Sequence, residues 1–152
     1  MNLATNKRWS DQYLPRIKEI VGGMLLTAAP LELDMKENTD LMVLDVDVKK
    51  IACRIRRPGF LSFRNEFTIR SKAGGPKTEI DKIKEGFGDW LFYGHAGQAP
   101  GHVLTWMIID LDFFRTCLKD GMEGREIANH DGTKFMVFNV RNFPKSLVIK
   151  RG

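Results

Sequence analysis

The strongest constraint on the fold is residues 39–57, TDLMVLDVDVKKIACRIRR, where two extended segments flank a short polar turn. In the second segment Ile51, Cys53 and Ile55 occupy every other position, and alanine and arginines fill the positions between them. Successive side chains of a β-strand point to opposite faces, so this period of two predicts a strand with an apolar face and a basic face. An apolar, β-branched run at 40–46 precedes it. We therefore predict a hairpin of two strands joined by a tight turn.

The rest of the chain mixes helical and extended periodicity. We predict a helix from residue 10, strands at 40–46, 51–57 and 66–71, a helix from residue 78, strands at 90–95 and 103–111, a helix at 112–119, and late strands at 135–140 and 146–150. Thr78 is expected to cap its helix, with Asp81 completing a capping box. This order predicts the α/β (α+β) class: a mixed central β-sheet flanked by helices, in one domain spanning residues 1–152.

Composition narrows the class of partner and the compartment. The net charge of +5 fits a polyanionic partner such as nucleic acid, and a solvated basic surface explains it equally well. Cys53 and Cys117 lie among apolar neighbours outside any CxxC motif, which predicts buried free thiols in a reducing, cytoplasmic location. The longest apolar runs are too short to cross a bilayer, so no membrane association is expected.

Several local features line up with one known family. Glu19 lies in the first predicted helix, Asp40 starts the next strand, KKIACRIR at 49–56 supplies another, and WLFYGH at 90–95 follows the second helix. This order resembles the αβββαβ core of the restriction-endonuclease-like, PD-(D/E)xK superfamily, and is most similar to archaeal Holliday-junction resolvases. The resemblance covers residues 12–110, which leaves 111–152 as carboxy-terminal additions. It implies a Mg²⁺-dependent endonuclease that hydrolyses phosphodiester bonds, with DNA as the expected partner, and it is consistent with a homodimer.

The strand that should carry the Glu-x-Lys of that superfamily departs from the pattern. Arg54 stands where the metal-binding Glu is expected, and Arg56 where the Lys is expected. Mg²⁺ binds hard carboxylate oxygens, and a positive charge at position 54 disfavours the ion. Arg56 could still neutralise a phosphate.

One hypothesis restores the metal site. Glu79, at the start of the second helix, could join Asp40 and Glu19 around Mg²⁺, with Lys77 or Arg56 beside the phosphate as the other catalytic residues. The alternative for Glu79 is an acid that complements the helix dipole, and the alternative for Asp40 is a turn residue that binds local backbone N–H groups.

A second hypothesis needs no metal. Five basic residues on neighbouring strands and the following loop could form one face that binds nucleic acid or an acidic protein: Arg54, Arg56, Arg70, Lys72 and Lys77. The alternative is that this face is simply solvated, or ion-paired with Glu66 or Asp45. The protein would then have a structural or inhibitory role in which the basic face takes no part.

The aromatic residues within 90–93 are of the type that can stack on nucleic-acid bases. In so apolar a stretch, Trp90, Phe92 and Tyr93 are expected in the core instead. His95 follows them and could carry a proton near the site, although a structural role is favoured.

Overall fold

The helices and strands of this protein form a mixed α+β fold in a computed structural model that describes residues 3–28, 41–43, 49–72 and 75–152. The helices are α1 (Leu3–Asp11), α2 (Leu14–Leu25), α3 (Glu79–Lys84) and α4 (Leu111–Lys119). The strands are β1 (Leu26–Ala28), β2 (Leu41–Val43), β3 (Ile51–Arg56), β4 (Glu66–Lys72), β5 (Trp90–Ala96), β6 (Val103–Asp110), β7 (Arg125–Ala128), β8 (Lys134–Asn139) and β9 (Val148–Arg151). The fold class predicted from the sequence is confirmed.

The strands are distributed over separate sheets. A four-stranded mixed sheet has the order β3-β5-β6-β9, with β3 parallel to β5 and the other pairs antiparallel. An antiparallel sheet has the order β4-β8-β7, and β1 pairs with β2. In the mixed sheet, Arg54 lies opposite Tyr93 and Arg56 opposite His95.

The hairpin predicted for residues 40–57 is wrong in the strand pairing of its described residues; residues 40 and 44–48 lie outside them. The described residues of β2 pair with β1, and β3 pairs along its whole length with β5. The apolar residues of β3 gain more burial beside the hydrophobic strand β5 than a two-stranded hairpin offers. Likewise β4, expected beside β3, pairs with β8, so Arg70 is not on a strand hydrogen-bonded to β3.

The two faces of the mixed sheet carry two apolar clusters. On one face Ile51 and Ile55 pack with Phe92, Ile108 and residues of α1 and α2. On the other face, buried residues of β5 and β6 pack with β4, β8, α3 and α4, including the phenylalanines Phe67, Phe114, Phe138 and Phe143. Since paired residues share a face, Arg54 and Arg56 belong to this second side, as the alternation of β3 predicted.

Burial of individual side chains confirms some expectations and corrects others. Phe92 and Tyr93 are fully buried, so they are core residues. Cys117 is buried as predicted, whereas Cys53 is exposed and does not belong to the apolar cluster that includes its strand neighbours Ile51 and Ile55. The capping box of α3 is present, with the Thr78 hydroxyl accepting from the Asp81 N–H.

The ends of the chain also differ from the sequence-based expectation. The first predicted helix start, at residue 10, lies inside α1, and α2 begins at Leu14 with Pro15 in its first turn. The last third of the chain is integral to the core: β9 extends the mixed sheet, and Phe138, Phe143 and Leu147 are buried. Within the described residues, no helix has the length and apolar character needed to cross a membrane.

Candidate functional site

An ion pair between β3 and α3 forms the centre of the candidate site. Arg54 Nη2 donates to Glu79 Oε2 at 2.8 Å, and the two side chains are 28% and 30% exposed. Arg54 Nη1 also donates to the Thr68 carbonyl at 2.8 Å, which ties β3 to β4. The same Glu79 oxygen accepts from the Arg70 backbone N–H at 3.1 Å. Glu79 is therefore held by a guanidinium and an amide, and its charge is compensated.

A pair of hydroxyl groups extends this network towards Arg56. The Thr68 and Tyr93 hydroxyls share a hydrogen bond of 3.1 Å between buried residues. Arg56 Nη1 lies 3.4 Å from the Tyr93 hydroxyl, at the long end of hydrogen-bonding distance. The Arg54 and Arg56 guanidiniums are thus connected through Thr68 and Tyr93.

His95 lies next to this network, and its hydrogen-bonding capacity is unsatisfied within the described residues. The residue is 3% exposed, and neither ring nitrogen has a hydrogen-bond partner among the described residues. Its ring meets that of Tyr93 edge to face, with 6.0 Å between centroids. Burial, together with the nearby Arg56 guanidinium, lowers the pKa of His95 below its ordinary value of 6.5, so the ring is neutral at pH 7. A buried polar group without a partner costs about 1–3 kcal/mol.

Positive charge is concentrated in one part of the chain, residues 49–72, here called the basic segment. Its basic residues are Lys49, Lys50, Arg54, Arg56, Arg57, Arg64, Arg70 and Lys72, and Glu66 is its one acid. Eight basic residues less one acid give a net charge of +7, and the remainder, 16 basic and 18 acidic residues, carries −2. Apart from the half-buried Arg54 and Arg56, these basic residues are exposed.

At the end of β3, two neighbouring arginines place their charges on opposite sides of the sheet. The Arg56 guanidinium lies over the Phe60 ring, 4.5 Å from its centroid. The Arg57 guanidinium lies over Trp9 of α1, at 4.3 Å. Cation–π contacts of this kind fix long side chains that would otherwise sample many rotamers.

Two of the three residues predicted to bind a metal ion are described, and the structure does not bring them together. Glu19 is exposed on α2, pairs with Arg16 at 3.0 Å, and belongs to the helix that packs on the opposite face of the sheet from Glu79. Two carboxylates on opposite faces do not share one ion. Asp40 lies outside the described residues.

The predicted basic residues do not share one environment. Arg54 is neutralised by Glu79, and Lys77 pairs with Glu85 at 2.9 Å. Arg56 is in the network just described. Arg70 and Lys72 are exposed near the end of β4.

The groups around Glu79 determine whether Mg²⁺ could bind there. Over the described residues, no group of three or more His, Cys, Asp or Glu side chains is arranged to hold a metal. At Glu79 one oxygen already binds a guanidinium at 2.8 Å, and that cation repels a divalent ion. The described donor set therefore does not fit Mg²⁺.

Comparisons with known proteins leave the family open. No protein-family model, curated protein or solved structure matches this chain.

Sequence reasoning missed two polar members of the network, Thr68 and Tyr93. A signal was present for Tyr93, because a tyrosine inside an apolar strand requires a partner for its hydroxyl when buried. Thr68 carried no such signal, since its contact to Arg54 depends on how β4 crosses β3.

The Arg54–Glu79 pair predicts a measurable asymmetry between two ion pairs of this chain. Glu79→Gln leaves a half-buried guanidinium without a counter-charge, so we expect the free energy of unfolding to fall by about 2 kcal/mol. Glu85→Gln breaks the exposed pair with Lys77 and should cost less than about 0.5 kcal/mol. Urea denaturation measures both. Equal losses in the two variants would show that solvent screens the Arg54 pair fully.

His95 predicts a loss of stability in mild acid. Its pKa is lower in the folded chain, so below pH 6.5 the unfolded chain takes up the proton more readily and unfolding is favoured. Stability is retained above pH 6.5 and falls on acidification by at most about 1.4 kcal/mol per pH unit, until the lowered pKa is reached. Urea denaturation at a series of pH values checks this.

The matched variants are His95→Leu and His130→Leu. His95→Leu removes the unpartnered nitrogens at similar volume, and should lose the acid dependence that begins below pH 6.5 without losing stability at neutral pH. His130→Leu, at an exposed turn, should retain it. An unchanged acid dependence in His95→Leu contradicts the assignment.

Proposed function

We propose that this protein binds nucleic acid, with the basic segment holding the phosphate backbone. The observation that carries the proposal is the segregation of charge, +7 within residues 49–72 against −2 in the rest of the chain. An evenly solvated surface has no need of such segregation, whereas a polyanion is attracted and oriented by it.

The chemistry of the side chains supports phosphate as the group recognised. Guanidiniums match phosphate oxygens bidentately, and lysines add point charges. Arg54 is excluded from this role by Glu79, and Lys77 is drawn to Glu85. The proposed contacts are therefore Lys49, Lys50, Arg56, Arg57, Arg64, Arg70 and Lys72.

Phosphodiester hydrolysis is the second candidate, and it comes with the resemblance to the resolvases, including their dimeric state. The observation in its favour is Glu79, a partly exposed acid close to the basic segment. Cleavage would require Asp40 and a Glu79 released from Arg54. Binding without cleavage needs no such rearrangement, so it is the function that the geometry supports best.

Binding predicts a salt dependence that two exposed basic residues control. Arg70→Ala/Lys72→Ala should weaken binding of labelled DNA and reduce the slope of log K against log salt concentration by up to about 2, since each phosphate contact contributes about 0.9. Fluorescence anisotropy between about 50 and 200 mM salt measures this. Lys119→Ala/Lys145→Ala removes two exposed lysines outside the basic segment and should change neither quantity. Equal losses in both double variants contradict the assignment.

Cleavage is tested separately, with plasmid, single-stranded and branched DNA and with RNA, in Mg²⁺ or Mn²⁺. We expect binding without cutting in the wild-type protein. Cutting that disappears in Asp40→Ala and in Glu79→Ala would establish the second candidate instead. Cutting that survives both substitutions would rule out these residues as its site.

A further inference from the structure

The turn between β3 and β4 exposes three large apolar side chains in four positions. Phe60, Leu61 and Phe63 are 40%, 42% and 43% exposed, and no residue of the 3-10 turn Leu61–Phe63 is buried. Scattered exposed apolar residues are ordinary, but consecutive ones on one turn form a patch of the kind that contacts partners.

The turn is held in place from both sides. Phe63 and Arg64 donate backbone hydrogen bonds to the carbonyls of Phe60 and Leu61, after Gly59 with φ of 100° reverses the chain. Arg151 of β9 donates to the Arg64 carbonyl at 3.3 Å and to the Asn65 side chain at 3.0 Å. The aromatic rings are therefore presented on a fixed support, which lowers the entropic cost of binding.

The charges around the turn decide what kind of partner fits it. Arg56, Arg57 and Arg64 flank the turn in sequence, and Arg56 already stacks on Phe60. Further basic residues precede β3, at Lys49 and Lys50, and lie at the end of β4, at Arg70 and Lys72, so the positive charge extends beyond the turn. Charge spread over several elements in this way suits a chain-like polyanion better than the flat surface of an anionic membrane.

The exposed aromatic rings favour a ligand with unpaired bases, which a duplex does not offer. In a duplex the bases are stacked on each other and offer their phosphates, whereas unpaired bases expose flat faces that stack on aromatic side chains. We propose, on the basis of the function proposed above, that Phe60 and Phe63 stack unpaired bases, so that the preferred ligand is single-stranded nucleic acid.

The test compares a labelled oligothymidylate of about 20 nucleotides, longer than common single-strand sites, with a duplex of the same length. Wild-type protein should bind the single strand more tightly. Phe60→Leu/Phe63→Leu should lose about 10-fold or more in affinity for the single strand, since two stacking contacts are removed, and less than about two-fold for the duplex. Fluorescence anisotropy at fixed salt gives both values.

Two control variants separate stacking from folding and from general hydrophobicity. Phe87→Leu changes a phenylalanine that is 63% exposed outside the basic segment, and should leave both affinities unchanged. Phe60→Tyr/Phe63→Tyr keeps the rings and should keep single-strand affinity. Thermal unfolding of each variant confirms that the fold is intact.

The outcomes distinguish this inference from the function on which it rests. Single-strand and duplex affinities that are equal, both dependent on Arg70 and Lys72, overturn the stacking role and leave nucleic-acid binding standing. Equal losses for both ligands in the leucine double variant overturn it as well. Binding to neither ligand, or binding to phosphatidylserine vesicles alone through Phe60 and Phe63, overturns both proposals.

Discussion

Parallel pairing between β3 and β5 determines where every group of the candidate site lies. Its register sets Arg54 opposite Tyr93 and Arg56 opposite His95, so both arginines share a face with the buried tyrosine and histidine. That face is covered by β4 and α3, which bring Thr68 and Glu79 to Arg54. A slip of one residue would turn the arginines towards the helices on the other face and Ile51 and Ile55 into the polar network. The register is consequently specified by both faces at once.

The features that could be read from the sequence are those encoded locally. The alternation of β3, the capping box at Thr78 and the burial of Phe92 each depend on a few adjacent residues, and each was predicted. The hairpin prediction failed because a strand's partner depends on the burial available across the whole sheet, which adjacent residues do not encode. The site shows the same division. Glu79 was recognised as important, but its partner was not, since the Arg54 contact joins positions 25 residues apart.

In the Arg54–Glu79 pair, the strand β3 carries the cation and the helix α3 carries the acid. The guanidinium gives Glu79 a fixed positive neighbour that is covalently part of the chain and does not dissociate. Breaking this pair leaves one charge uncompensated, so the arrangement favours a stable binding surface over a carboxylate poised to exchange ions.

Arg56 lies between two residues whose burial is unusual for their type. On one side it lies beside His95, whose buried nitrogens lack partners within the described part of the chain, and on the other it stacks on Phe60, a large apolar ring left exposed. A fold selected for stability alone would place an apolar residue at position 95 and a polar one at position 60. Such conflicts between residue type and burial are typical of surfaces that serve binding. That both occur at one arginine of the basic segment supports the proposal that this end of β3 belongs to the binding surface.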